Sequence, residues 1–182
     1  MSRVIIFPTD TVYGIGCQIY DTESIEKIYF IKKRSKDKPL ACLCANLEQI
    51  ESITFLNETA RKLINTFLPG ALTIILKSKD EVVEKIGYTT LGVRIPNSKV
   101  ALDILEKKGP MLTTSVNDSG EEPINDYKKL VDIYSSVVDE IFEPQEKMQC
   151  ISSTVISIID GELKILREGS ISLKQINDAL NV

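Results

Sequence analysis

The sequence predicts an α/β fold built on a mixed sheet. Three observations carry that reading. Short β-rich runs alternate with amphipathic helical stretches from end to end, the runs are apolar enough to lie in a sheet covered on its faces, and Asp160-Gly161 joins the last two runs as a hairpin. The hairpin makes at least one strand pair antiparallel, and the alternation excludes a helical bundle or a sandwich.

Strands are expected at residues 4–7, 40–44, 72–76, 91–95, 111–115, 137–142 and 154–159, with 162–166 returning from the hairpin. Among the helices, 57–68 is the clearest. Asn57 supplies its N-cap, Ala60, Leu63, Ile64, Phe67 and Leu68 form one apolar stripe, and Pro69-Gly70 stops it. Residues 23–33, 98–108 and 126–135 repeat the periodicity, and Ser172 with Gln175 reads as a capping box opening a last helix.

The 182 residues are expected to form one domain over 1–182, long enough for a single core. The chain carries 22 Lys+Arg against 26 Asp+Glu, a net charge of −4, and no histidine. Ser-His-Asp and Cys-His catalysis and His-ligated zinc are thereby excluded, and any chemistry must run on Lys, Arg, carboxylates, hydroxyls, thiols or the substrate's own groups. No apolar run reaches the length of a signal peptide or a membrane span, which points to a cytoplasmic protein with no membrane partner. Four cysteines do not resemble a disulfide framework, and Cys42 and Cys44, two apart on one strand face, read as core residues.

Several segments make poor sense as packing. Residues 8–16 follow the first strand with Pro8, Thr9, Asp10, Thr11, Gly14 and Gly16, which reads as an irregular turn whose polar side chains, at a strand's carboxyl end, suit either a ligand or an ordinary polar connection with Asp10 as a local turn former. Residues 32–38 place five cations in seven positions, which fits either a helix dipole or a phosphate site. Arg94 interrupts an apolar strand before Pro96, and a structural ion pair and a ligand clamp fit it equally. Residues 113–120 cluster hydroxyls and amides that suit either an anion-binding nest or a surface turn. Ser152-Ser153-Thr154 and Arg167-Glu168-Gly169 complete the set.

In order along the chain, Pro8-Thr9-Asp10-Thr11-Val12-Tyr13-Gly14, Lys32-x-Arg34 with Lys38-Pro39-Leu40, Pro69-Gly70-Ala71-Leu72-Thr73, Val93-Arg94-Ile95-Pro96, Ser115-Val116-Asn117-x-Ser119-Gly120, Ser153-Thr154-Val155 and Arg167-Glu168-Gly169 resemble YrdC/TsaC-type proteins, the threonylcarbamoyl-AMP synthases. The resemblance implies a YrdC-like twisted mixed sheet with helices packed around it and a concave basic face. It also implies a nucleotidyltransferase that converts ATP, L-threonine and bicarbonate or CO2 to threonylcarbamoyl-AMP and pyrophosphate. The product would pass to downstream tRNA threonylcarbamoyl transferase proteins for threonylcarbamoyladenosine modification of tRNA.

Residue by residue, the resemblance implies Lys32 and Arg34 as catalytic, and Arg34, Lys38, Thr90, Ser115, Asn117 and Arg167 as ATP contacts. Thr11, Arg94, Thr113 and Ser153 become threonine contacts. Magnesium is expected with ATP and no protein metal site is implied. Some relatives carry a His three residues after the Pro-Leu pair, where this chain has Leu43. The competing reading is an RNA-binding module of the same fold, with weak tRNA binding through the basic run and no synthase activity. A third reading is carbamoyl transfer to another acceptor, as in the related domain of hydrogenase-maturation proteins.

Overall fold

The computed structural model describes residues 3–181. Among them nine strands form one sheet: β1 (Ile5–Phe7), β2 (Gly14–Gln18), β3 (Ala41–Leu43), β4 (Leu72–Lys77), β5 (Thr90–Arg94), β6 (Met111–Ser115), β7 (Glu140–Ile141), β8 (Thr154–Ile159) and β9 (Glu162–Arg167). Their order across the sheet is β7-β1-β2-β6-β3-β5-β4-β8-β9. The pairs β1/β7, β3/β5 and β4/β8 are parallel and the rest antiparallel, so the sheet is mixed as the sequence predicts.

Seven helices accompany it: α1 (Thr22–Ile31), α2 (Leu47–Ile53), α3 (Glu58–Phe67), α4 (Asp80–Ile86), α5 (Lys99–Lys108), α6 (Tyr127–Tyr134) and α7 (Leu173–Leu180). Asn57 caps α3 by accepting from the Ala60 N–H, and Ala60, Leu63 and Ile64 are its buried stripe. The Ser172–Gln175 capping box closes reciprocally at the start of α7. Among the described residues no helix is long and apolar enough to cross a membrane.

Alternation along the strands divides the sheet into two unlike faces. On one, Ile15, Cys17, Cys42, Leu72, Ile74, Leu76, Leu91, Val93 and Leu112 join the buried sides of α1, α2, α3 and α7 in the main core. Cys17 and Cys42 are part of this core, where burial pushes the Cys17 thiol up to about 12 and the Cys42 thiol well above its usual value. On the other face, Ile5, Phe7, Leu43 and Met111 pack against Val100, Ala101, Ile104 and Leu105 of α5. That second cluster covers part of the face. The polar remainder, Thr73, Arg94, Thr113 and Ser115 with Gly92 of β5, lines an open cavity.

The structure departs from the sequence expectation in three ways. The expected strand at 137–142 shortens to Glu140–Ile141, because the N–H groups of Val137 and Val138 turn back to Tyr134 O and finish α6. The short helices α2 and α4 arise between expected strands. Asn46 caps α2, and Gly87 at φ 75° ends α4 in the left-handed region that favours glycine.

The third difference bears on the site. Residues 14–16 belong to strand β2 and not to an irregular turn. The two glycines serve a close approach between β2 and β6. A Cβ on Gly14 would sit 2.6 Å from Thr113 Cγ2, and one on Gly16 would sit 2.7 Å from Thr113 Oγ1 and 2.9 Å from Leu112 O. Each Gly→Ala change is therefore expected to destabilise by about 1–3 kcal/mol in urea unfolding. Thr113→Ser, which removes Cγ2, should recover most of the loss in Gly14→Ala and little of it in Gly16→Ala, where a backbone oxygen is the obstacle.

Candidate functional site

The uncovered part of the second face is the floor of a cavity of about 350 Å³. Its walls come from the loop between β1 and β2, the turn after α1, the segment before β8 and the end of β9. Small floor residues, Gly14, Ala41, Gly92 and Thr73, leave its depth open. Three arginines, Arg34, Arg94 and Arg167, line it together with hydroxyls and no carboxylate. In a chain of net charge −4, the charged side chains that line this cavity are all cations.

Arg94 lies at the end of β5 with 5% of its surface exposed. Its Nε donates to Gly70 O at 2.8 Å, Nη1 to Thr11 Oγ1 at 2.7 Å, and Nη2 to Asp10 Oδ1. In the Arg94–Asp10 pair the arginine side chain is buried and the carboxylate is nearly so, at 6% and 10% exposed. Burial pulls the guanidinium below its ordinary value, Asp10 opposes that pull, and Arg167 adds to it. Thr11 is held in turn by Thr9, whose Oγ1 lies 3.0 Å from Thr11 Oγ1 and donates to Val12 O at 2.7 Å. The structural ion pair therefore exists. Of the five N–H groups of a guanidinium, three are engaged, and Arg94 still lines the cavity.

On the opposite wall, Arg167 turns its fork onto Ser153 O, with Nε at 3.2 Å and Nη2 at 2.9 Å. The hydroxyl of Ser153 lies 2.8 Å from Thr73 Oγ1. Thr154 Oγ1 accepts the N–H groups of Gly169 and Ile171 and so fixes the chain leaving β9. Gly169 permits this contact, since a Cβ there would meet Ser152 O at 2.2 Å. Arg34 bonds only to carbonyls of its own loop, Lys38 O at 2.8 Å and Pro39 O at 3.1 Å. Among the described residues neither Arg34 nor Arg167 has a carboxylate partner.

Thr11, Arg34, Arg94, Thr113, Ser115, Ser153 and Arg167 are thus gathered on one cavity, whereas four expected site residues fall elsewhere. Lys32 is buried with its ammonium donating to Ser115 O, to Asn117 O at 2.9 Å and to Asn117 Oδ1 at 2.8 Å. Asn117 is buried in the same network, accepting from Ser115 Oγ at 2.7 Å and donating to Glu121 O. Both brace the cavity rim from behind. Lys38 is exposed. Thr90 faces a second cavity of about 400 Å³, bounded by Tyr29, Tyr88, Ile86 and Lys36, which shares Pro39 with the first.

The basic run does not act as one patch. It lies beyond the last turn of α1, Lys33 pairs with Asp118 at 2.7 Å, and Lys36 pairs with Glu26 at 2.6 Å. The residue with no place among the sequence candidates is Thr73, whose signal was a lone hydroxyl in the otherwise apolar run after Pro69-Gly70.

A family model covering the Sua5, YciO and YrdC proteins, described as "Telomere recombination", matches residues 2–169. The chain belongs to the Sua5/YciO/YrdC family. It is 32% identical over 174 residues to the putative threonylcarbamoyl-AMP synthase of Methanocaldococcus jannaschii, covering 96% of this chain and 83% of that protein. Its fold superposes on P. abyssi Sua5 complexed with L-threonine at a TM-score of 0.89 and 29% identity, over 98% of this chain and 54% of the other, so the chain spans about half of that protein. It superposes on E. coli YciO at a TM-score of 0.86 and 30% identity, over 96% and 87% of the two chains. YciO is named as an uncharacterized protein.

Within this family member, Lys32 provides a test of the buried network. Burial, with Arg34 adding and Asp118 opposing, pulls its ammonium from 10.5 to about 8. Lys32→Met is expected to lower stability by about 2 kcal/mol or more, because three acceptors lose their donor. The unfolded chain holds the Lys32 proton up to 10.5 and the folded chain only to about 8, so unfolding free energy rises with pH between those values. The native chain should accordingly gain stability relative to Lys32→Met across that window, as read by urea unfolding at several pH values.

Proposed function

We propose that the chain is an L-threonylcarbamoyladenylate synthase. The observation that carries the reading is the hydroxyl-rimmed cavity lined by three arginines and no carboxylate, on the fold of a family with members named for this activity. Threonine brings a carboxylate and ATP brings phosphates; Arg34 and Arg167 have no carboxylate partner among the described residues to compete with phosphate, and Arg94, though paired with Asp10, keeps two N–H groups free to donate. Arg94 would take the carboxylate with its two unengaged N–H groups, beside Thr11, Thr113 and Ser153. Arg34 and Arg167 would take phosphate oxygens, each exchanging or supplementing a neutral carbonyl partner. Thr90 would meet the nucleotide only if it reached past Pro39, the residue that lines both cavities.

The chemistry suits a chain without histidine. The threonine amine adds to CO2 and loses a proton, giving a carbamate. The carbamate oxygen forms a bond to the α-phosphorus of ATP, and the bond from that phosphorus to the bridging oxygen breaks to release pyrophosphate. The nucleophile belongs to the substrate, so the protein contributes positioning and stabilisation of charge on the transferring group. Lys32 contributes through the rim it braces and not by contact with the reacting atoms. A cavity wall without carboxylates does not suit a resident magnesium ion, so any magnesium arrives as part of the ATP substrate. The product, a mixed anhydride, would be consumed by a transferase acting on tRNA.

The test is pyrophosphate release from ATP, measured with and without threonine and bicarbonate. Dependence on both is expected. No turnover together with salt-sensitive tRNA binding would favour the RNA-binding reading, against which stand the carboxylate partners of Lys33 and Lys36. Removing the whole Arg94 side chain would strand the buried Asp10 carboxylate, so Arg94→Lys is the informative variant. It should raise the threonine KM by about tenfold or more through loss of the fork, and leave the ATP KM nearly unchanged. Arg167→Ala should do the reverse.

A further inference from the structure

Asp10 is absent from the cavity wall, yet it ties together three segments at that end of the sheet. Its Oδ1 accepts from Arg94 Nη2 and, at 3.0 Å, from the Asn97 N–H in the turn that follows β5. Its main-chain O accepts from Gln149 N at 2.9 Å, and the neighbouring Thr11 O accepts from Cys150 N at 2.8 Å. The long connection between β7 and β8 therefore clamps the loop from outside while the carboxylate grips the arginine from inside. A guanidinium on a flexible stem has many rotamers, and a carboxylate held at both its side chain and its main chain removes most of them.

We propose that Asp10 is the positioning residue for Arg94, holding its guanidinium so that the two unengaged N–H groups present a fixed fork to a substrate carboxylate. The identity of that carboxylate rests on the threonine reading, but the orientation of Arg94 does not. Asp10 acts as an oriented acceptor shared between Arg94 and Asn97, a role an amide oxygen can also fill. Asp10→Asn should consequently preserve the geometry that Asp10→Ala destroys, while lowering stability because the Arg94 charge loses its counter-charge.

The experiment uses the full chain and two readouts. In 1H–15N spectra the Arg94 Nε–H, assigned by its disappearance in Arg94→Lys, should exchange slowly with solvent in the native chain and in Asp10→Asn. In Asp10→Ala it should exchange rapidly. In the pyrophosphate assay, Asp10→Ala should raise the threonine KM on the order of tenfold, as expected for losing one charge-assisted hydrogen bond, with little change in the ATP KM. Asp10→Asn should restore most of the threonine KM. Equal protection of the Arg94 signal in native and Asp10→Ala chains would overturn the proposal, and so would a parallel rise of both KM values. Should Asp10→Ala fail to fold, loss of Arg94 protection in folded Asp10→Asn overturns it as well. A native chain with Asp10-dependent protection but no threonine-dependent turnover would sink the functional reading and uphold the positioning role.

Discussion

A guanidinium buried on an interior strand has to be held from several directions at once, and the holding of Arg94 shapes one whole end of the sheet. Its three hydrogen bonds reach the loop after β1 through Asp10 and Thr11, and the turn before β4 through Gly70. Those segments are distant in sequence. Breaking either partner of the pair would leave an uncompensated charge in a low-dielectric setting, a cost of about 3–5 kcal/mol. Evolution of the site is therefore tied to the packing of that end, and the polar loops there behave as part of the core.

The division of the sheet into two faces explains why a cationic cavity exists in an acidic chain. Helices α1, α2, α3 and α7 saturate one face with apolar contacts, while α5 covers only the part of the other that carries Ile5, Phe7, Leu43 and Met111. The uncovered part is built from glycine, alanine and hydroxyl residues, which leave volume, and from arginines whose partners are mostly neutral carbonyls. Acidic side chains meanwhile neutralise the neighbouring surface cations Lys33 and Lys36.

Much of this was legible in the sequence. Periodicity and caps located α3 and α7, and apolar runs located most strands, because those signals are local. β2 escaped because Gly14 and Gly16 look like turn residues until Thr113, a hundred residues away, is seen to need their missing Cβ atoms. Arg94 could be marked as unusual but not decided between ion pair and clamp, since Asp10 lies 84 positions away. The run from Lys32 to Lys38 fits either a helix dipole or a phosphate site in the sequence, and the structure divides it: Lys32 turns inward, Lys33 and Lys36 outward to carboxylates, and Arg34 toward the cavity. Side-chain destinations depend on tertiary partners that adjacency does not encode.

The most direct measurement is a crystal structure of the chain with L-threonine and a non-hydrolysable ATP analogue. The threonine carboxylate should lie within hydrogen-bond distance of Arg94, with phosphate oxygens at Arg34 and Arg167. Threonine bound away from Arg94, or a nucleotide occupying any other part of the surface, would contradict the assignment of the cavity.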